Sequence, residues 1–485
     1  MSKVRKSIVL SFGQNYIKFV LQFIATIIIS RLLTPAEIGI FSVAMVLLGF
    51  AHTLRDFGAA SYIIQEKELT PDKIRAAFSM TLITAWLMAA VIWLASGYAA
   101  EFYREPGVRA VMQVVTLNFI LIPFGTIPIA YMQRNMDFEH IALINVISNA
   151  VSTMLTIWMA YAGFSYLALA WGSVAGIVCN IILVQVWRPK ELPMWPGLNE
   201  IRKVISFGSL SSLIMILNDL RQGVPELILG RVSGMAVVGY YGRAMGLLSM
   251  FDRFIMSALW GVVLPHFAEQ VRKNGAIKES FLNSMTLMTV LAWPFFLSLS
   301  LLAEPVVMVL YGEQWAPSIP LLQIICLSAV ITSPFLLLSS MMTAIGQMKQ
   351  NLYLLAIHVP IKFCLIYLAA PYGLGAIGAT FIVSGIIDSV VSVAQCRSVL
   401  HVGVRDIWRA VRKSAEVAAL AAAVPLLIFL NSGGLLAGQI WLQLLLGMAT
   451  CTLGWLAGIY LFHHPMRKEV GNALDAVKRL LNRGK

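Results

Sequence analysis

The residues of this chain able to do chemistry lie where charge is most costly. Gln14, Lys18, Gln22, Thr26 and Ser30 recur at every fourth position of an otherwise apolar stretch, with Asn15 beside them. On a helix that spacing draws one polar stripe. Charges interrupt later apolar stretches too: Arg55 and Asp56 in TLRDFG, Arg243, then Asp252 and Arg253 in MFDRF, Lys362, and Asp388. The most polar stretch, NDLRQGVPELILG, holds Asp219, Arg221 and Glu226, and its Pro225 removes a backbone donor as in unwound transporter helices. Hydrocarbon satisfies none of these groups, so they must face protein or a water-filled cavity. The cations Lys18, Arg55, Arg221, Arg243, Arg253 and Lys362 suit an anionic ligand, phosphate above all, because guanidinium forks match its oxygens. Gln14, Asn15 and Gln22 would add polar lining. Two readings stay open for the acids Asp56, Asp219, Glu226, Asp252 and Asp388. They carry a coupling proton or sodium ion, or they neutralise the cations and hold helices together. Neighbours in one helix do not face each other, so partners for Arg55-Asp56 and Asp252-Arg253 would come from other helices.

The elements that must position these side chains are membrane helices. Only 12% of the 485 residues are charged and 59% are hydrophobic, and the mean hydropathy is +0.80. A soluble globule carries about 25% charged residues. About fourteen apolar stretches reach the roughly 20 residues needed to cross the hydrocarbon layer, and none alternates with the period of a membrane barrel strand. The fold class is therefore an all-α integral membrane protein, with no length left for a soluble catalytic domain. The five cysteines, Cys179, Cys326, Cys364, Cys396 and Cys451, lie in apolar stretches without metal-ligand spacing and read as small buried hydrophobes. The basic start MSKVRKSIVLSF lacks a cleavage site and reads as an uncleaved first helix.

A net charge of +13 invites a nucleic-acid reading, and its placement argues against one. With the N-terminus inside, most Lys and Arg fall on that side, while the opposite loops hold Arg31, Arg104, Arg109 and Arg231. This asymmetry predicts that both termini are cytoplasmic. The basic tail, with Lys468, Lys478, Arg479 and Arg483, reads either as a surface helix on anionic lipid or as a merely solvated end.

The chain also repeats itself. RLLTPAEIGIFSVAMVLL, from Arg31 to Leu48, returns as RVSGMAVVGYYGRAMGLL, from Arg231 to Leu248. Arg31, Ala36, Gly39, Ala44, Met45, Leu47 and Leu48 are identical to the residues two hundred positions on. Ser11-Phe12-Gly13 returns at Ser206-Phe207-Gly208, and Arg55-Asp56 is matched by Asp252-Arg253 with the charge order reversed. Two pseudo-symmetric six-helix lobes follow, 1–187 and 200–400, in parallel repeat about an axis along the membrane normal. A proline-rich cytoplasmic linker spans 188–199, two extra helices occupy 401–462, and a basic cytoplasmic tail runs 463–485. Gly373 to Gly378 matches G-x-G-x-x-G literally but stands between membrane spans, so close helix packing explains it better than a dinucleotide. The His463-His464 pair at a helix end reads as an interface feature rather than a metal site.

Three stretches carry a resemblance: SRLLTPAEIGIFS after the first helix, LGRVSGMAVVGYYGRA in the second lobe, and LYGEQWAPSIPLLQI (Leu310–Ile324). Together they resemble the polysaccharide flippases of the multidrug/oligosaccharidyl-lipid/polysaccharide exporter superfamily, in the polysaccharide transporter family's colanic-acid exporter (WzxC-like) branch. The resemblance implies a V-shaped pair of lobes around a basic cavity. It implies a non-enzymatic flippase of the bacterial inner membrane that moves undecaprenyl-pyrophosphate-linked oligosaccharide from the cytoplasmic to the periplasmic leaflet by alternating access. The product would be exopolysaccharide, capsule or lipopolysaccharide. In that role the six cations would hold the pyrophosphate. Expected partners are the lipid-linked oligosaccharide, membrane lipids and a polysaccharide polymerase complex, with no nucleic acid, no metal and no cofactor beyond a coupling H+ or Na+. The alternatives are a cation-coupled multidrug antiporter, a lipid II flippase, a polymerase or ligase, and a scaffold without transport.

Overall fold

A computed structural model of the chain describes residues 3–56, 59–189, 192–193, 195–197, 199, 223–273, 275–431 and 439–472. Every regular element among them is helical. Eight of these helices are long and apolar enough to span a membrane, or ten if two bent pairs each count as one span. This is a multi-pass membrane protein. Three further helices, Lys3–Leu32, Met348–Ala369 and Val404–Asn431, have comparable length but carry respectively the polar stripe, His358 with Lys362, and a basic start. The chain divides into two compact units, Met1–Gly242 and Arg243–Lys485. The linker 188–199 is described only in part, and residues 200–222 lie outside the described residues, as does the tail beyond 472.

In the first unit α1 (Lys3–Leu32) turns into α2 (Pro35–Asp56) through a capping box. The Thr34 N–H donates to Glu37 Oε2 at 2.7 Å and the Glu37 N–H to Thr34 Oγ1 at 3.3 Å. Pro35 fills the first helical position, where a missing N–H costs nothing. The unit continues through α3 (Ala59–Gln65), α4 (Pro71–Tyr103), α5 (Pro106–Leu121), α6 (Pro123–Arg134), α7 (Phe138–Tyr161), α8 (Leu167–Trp187), α9 (223–232) and the start of α10 (Met235–Leu248). Pro123 marks the 49° bend between α5 and α6. Arg134 closes the end of α3 by donating to the carbonyls of Ile63 at 2.8 Å and Lys67 at 3.2 Å.

The two hairpin copies meet inside this unit. A Cβ on Gly39 would stand 1.8 Å from the Met235 carbonyl oxygen, and one on Gly239 would stand 2.1 Å from that of Pro35. Residues 35 and 39 thus meet 235 and 239 reciprocally, the signature of a local two-fold. Only glycine permits backbones this close.

The second unit continues α10 into a π-helical turn (Asp252–Met256) and α11 (Ser257–Arg272), with a 54° bend across this region. Beyond these come α12 (Ile277–Leu301), α13 (Ala303–Leu310), α14 (Ser318–Thr332), α15 (Leu338–Ala344), α16 (Met348–Ala369), α17 (Leu374–Val399), α18 (Val404–Asn431) and α19 (Ile440–Leu461). Helix α18 packs on α12 and α19, while α17 packs on α14 and α16. A buried polar knot ties the chain end to this bundle. His464 Nδ1 accepts from the Met466 N–H at 3.1 Å, which leaves Nε2 to donate to Ser414 Oγ at 3.1 Å. Ser414 passes its own proton to the Thr286 carbonyl at 3.1 Å. Burial, assisted by the Lys413 charge, pulls the His464 pKa down to about 4, so the imidazole stays neutral at pH 7.

Proline in a membrane helix strands the carbonyl four residues earlier, and lipid offers it no donor. Three such carbonyls are met by side chains from other helices. Trp455 Nε1 donates to Val290, stranded by Pro294, at 2.9 Å, and Trp293 Nε1 to Val330, stranded by Pro334, at 2.9 Å. Gln185 Nε2 donates to Phe124, stranded by Pro128, at 3.2 Å. The helix breaks are thereby held in place.

Candidate functional site

The polar stripe of α1 divides in two. Its lower half is satisfied within the helix: Thr26 Oγ1 donates to the Gln22 carbonyl at 2.8 Å and Ser30 Oγ to the Thr26 carbonyl at 2.6 Å. Its upper half is mixed. Lys18 and Gln22 are exposed, while Gln14 accepts from Asn145 Nδ2 of α7 at 3.5 Å. Lys18 stands one turn from each amide, a cation beside donors and acceptors that suit hydroxyl groups.

Three of the other cations are seated on aromatic rings. Arg55 is buried, with Nη1 3.1 Å from His52 Nδ1 and its guanidinium carbon 5.7 Å from the centre of Phe119. Partly buried Arg243 packs against two fully buried rings, 5.5 Å from Tyr311 and 5.2 Å from Trp315, and its Nε has no hydrogen-bond partner. Lys362 Nζ lies 4.7 Å from the centre of Phe381. A desolvated cation over an aromatic face gains about 2 kcal/mol. By contrast Arg253, with Asp252, is exposed on the π-helical turn. π turns re-aim side chains and are frequent at functional sites.

Among the acids, Asp388 pairs with a residue that sequence reading did not single out: its Oδ1 lies 2.6 Å from His358 Nδ1. Glu226 on α9 is partly buried near Tyr241. Arg221 and Asp219 lie outside the described residues, as do the side chains of Asn15 and Asp56. No cluster of metal-binding side chains occurs among the described residues. Sequence reading also missed the ring partners Phe119, Tyr311, Trp315 and Phe381. Only Tyr311 and Trp315 had left a signal, as two aromatic positions of the LYGEQW stretch.

The second unit also holds an apolar cavity of about 450 Å³ between α12, α13, α19 and Ile255 of the π turn. Pro294, Phe295, Leu299, Met448 and Trp455 line it, and Ser298 and Thr452 are its few polar groups.

A multi-pass helical protein that gathers charges among its membrane helices has the build of a transporter. The particular family follows from comparison. The chain belongs to the polysaccharide biosynthesis protein family, whose model matches residues 28–320. It is 25% identical over 332 residues to the succinoglycan biosynthesis transport protein ExoT of Rhizobium meliloti, covering 68% of this chain and 67% of that one. It is 24% identical over 315 residues to the lipopolysaccharide biosynthesis protein WzxC of Escherichia coli, covering 63% of each. Among solved structures, the lipid II flippase MurJ in an inward closed conformation matches with a TM-score of 0.70 at 12% identity, over 96% of this chain and 100% of that one. That likeness establishes the fold, which is the fold of multidrug/oligosaccharidyl-lipid/polysaccharide exporter transporters. The chain is accordingly a transporter of polysaccharide biosynthesis and not an enzyme.

Proposed function

We propose that this protein flips an undecaprenyl-pyrophosphate-linked oligosaccharide from the cytoplasmic to the periplasmic leaflet of the bacterial inner membrane. It does so by alternating access, coupled to a cation, with both termini cytoplasmic. The observation that carries the reading is the set of intramembrane cations in a chain of the polysaccharide biosynthesis family. A pyrophosphate crossing hydrocarbon needs positive partners along its path. In this reading Lys18, Arg253 and Arg221 are candidates to meet it, each within its own unit, and Arg55, Arg243 and Lys362 are further candidates acting from their aromatic seats. Gln14 and Gln22 offer amides to sugar hydroxyls. The apolar cavity beside α12 and α19 has the character a polyprenyl chain requires.

The test is deletion of the gene followed by extraction of membrane lipids. Lipid-linked oligosaccharide should accumulate on the cytoplasmic face while surface polymer disappears, and the lipid's mass would identify the glycan. Plasmid-borne Lys18→Ala and Arg221→Ala should each fail to restore export although the protein reaches the membrane. Unchanged lipid-linked pools with new drug sensitivity would assign a multidrug antiporter instead, and lethal loss of lipid II transport a lipid II flippase.

A further inference from the structure

The first turns of α18 carry two unlike faces. Ile407, Val411, Ser414 and Ala418 recur at helical spacing and are buried. This side is fastened to α12, where Thr286 Oγ1 donates to the Ala410 carbonyl at 2.9 Å and Lys278 Nζ pairs with Asp406 Oδ2 at 2.6 Å. The opposite side presents Val404, Arg405, Trp408, Arg409, Arg412 and Lys413, all exposed, with Trp408 59% and Val404 67% open. Helix α18 has 28 residues, about 42 Å of rise, and no charge after Glu416. Hydrocarbon is about 30 Å thick, and headgroups bring a bilayer to about 40–45 Å. A span along α18 therefore leaves its basic turns at headgroup depth.

We propose that this face of α18 is a binding site for anionic phospholipid headgroups, centred on Arg405, Trp408 and Arg409. The site needs only the membrane span, not the flippase reading. Arg405 and Arg409 make no hydrogen bond or ion pair among the described residues. Asp406 lies near Arg409, but Lys278 and the Gly403 N–H already engage its carboxylate. Both guanidinium forks are thus available to the oxygens of a phosphodiester. Trp408 stands between them, and an indole is most stable at this boundary, its ring toward acyl chains and its N–H toward headgroups. Val404, one turn earlier, extends the apolar contact.

The neighbouring cations have other duties. Arg412 Nε is held by Glu416 Oε1 at 3.0 Å, and Lys413 Nζ by the His463 carbonyl at 3.1 Å. The second bond brings the end of α19 beside α18, and there Arg467 and Lys468 add exposed positive charge. A leaflet of anionic lipid complements such a surface, each basic residue strengthening association about five-fold. An acidic protein segment would satisfy the arginines equally. It would, however, have to lie within the headgroup layer and cover Trp408 and Val404, which lipid does without being folded or ordered first. The rigid seat on α12 fixes the spacing of the two arginines, so the headgroup meets a preformed pair.

The experiment places the photoreactive residue p-benzoylphenylalanine at Val404 of the full-length protein, in nanodiscs of phosphatidylglycerol and phosphatidylcholine in equal parts. After illumination, mass spectrometry identifies the lipid captured. Phosphatidylglycerol should exceed phosphatidylcholine by about five-fold or more. Adding Arg405→Gln and Arg409→Gln should bring the ratio to about one. Equal capture of the two lipids without those substitutions, or a ratio indifferent to them, would overturn the proposal. Absence of any lipid adduct would overturn it too and leave a merely solvated face. If the doubly substituted protein does not insert, the unsubstituted one decides: raising salt to about 0.5 M should lower its ratio by screening, and a ratio unmoved by salt would count against headgroup binding. In cells, capture of an acidic protein in place of lipid would assign the face to that partner instead. Lipid capture needs no glycan, so its failure is distinguishable from that of the flippase reading, which the lipid-linked pools decide.

Discussion

The two hairpin copies share seven of eighteen residues yet reach the same turn by different means. The first uses chemistry: the Thr34–Glu37 capping box with Pro35, further tied to the rest of its unit by Ser165 Oγ donating to Glu37. The second uses backbone freedom: Gly234 adopts φ +90°, a conformation other residues resist. The charged dipeptides that follow diverge further. Arg55 is drawn into a core against His52 and Phe119, whereas Arg253 is turned outward by a π-helical turn. The arginines of the two matched dipeptides have separated into a structural charge and a presented one. The glycines at the centre of each hairpin have not diverged, because each needs the other.

That reciprocity supplies the largest expected effect. Gly39→Ala and Gly239→Ala each drive a methyl group into the other hairpin's backbone, with no flexible side chain to yield. Each should cost about 1–3 kcal/mol, the usual range for overpacking, and thermal unfolding of the purified protein should show two nearly equal losses. Markedly unequal losses would break the two-fold relation at this contact.

The dipeptides should respond unequally. Arg55→Ala removes a desolvated cation from its ring and should lower stability by about 2 kcal/mol, with Arg55→Lys restoring only part because it lacks the planar fork. Arg253→Ala should leave stability within about 0.5 kcal/mol while export falls. If the melting curves of the two alanine variants coincide, the division between structural and presented charge fails.

The smallest effect sharpens the comparison of turns. Thr34→Ala should cost about 1 kcal/mol through the lost cap. Gly234→Ala should cost about 1–2 kcal/mol through left-handed strain. Circular dichroism melts of both variants measure the two devices on one scale.

Much of the architecture was legible in the chain. Helix positions follow from apolar length, and the capping box, the repeat and the breaks at proline are local patterns read along one strand of sequence. The family could be read from the hairpin and the LYGEQW stretch. The candidate site was legible in part. Lys18 with Gln14 and Gln22 stands as one face of α1, as the four-residue spacing predicts. That Arg55, Arg243 and Lys362 would sit on rings was not legible. Phe119 lies 64 positions from Arg55, and Trp315 lies 72 from Arg243.

What the sequence determined by itself is what depends on near neighbours: which segments leave water, where helices start, and which charges must then be buried. Tertiary structure alone decided which groups those charges meet. It paired Asp388 with His358 across two helices, sent tryptophans to the carbonyls that prolines strand, and engaged both nitrogens of His464 but one of His358. The physical reason is that hydrocarbon supplies no competing partner, so a polar group can bond only to what the packing brings near.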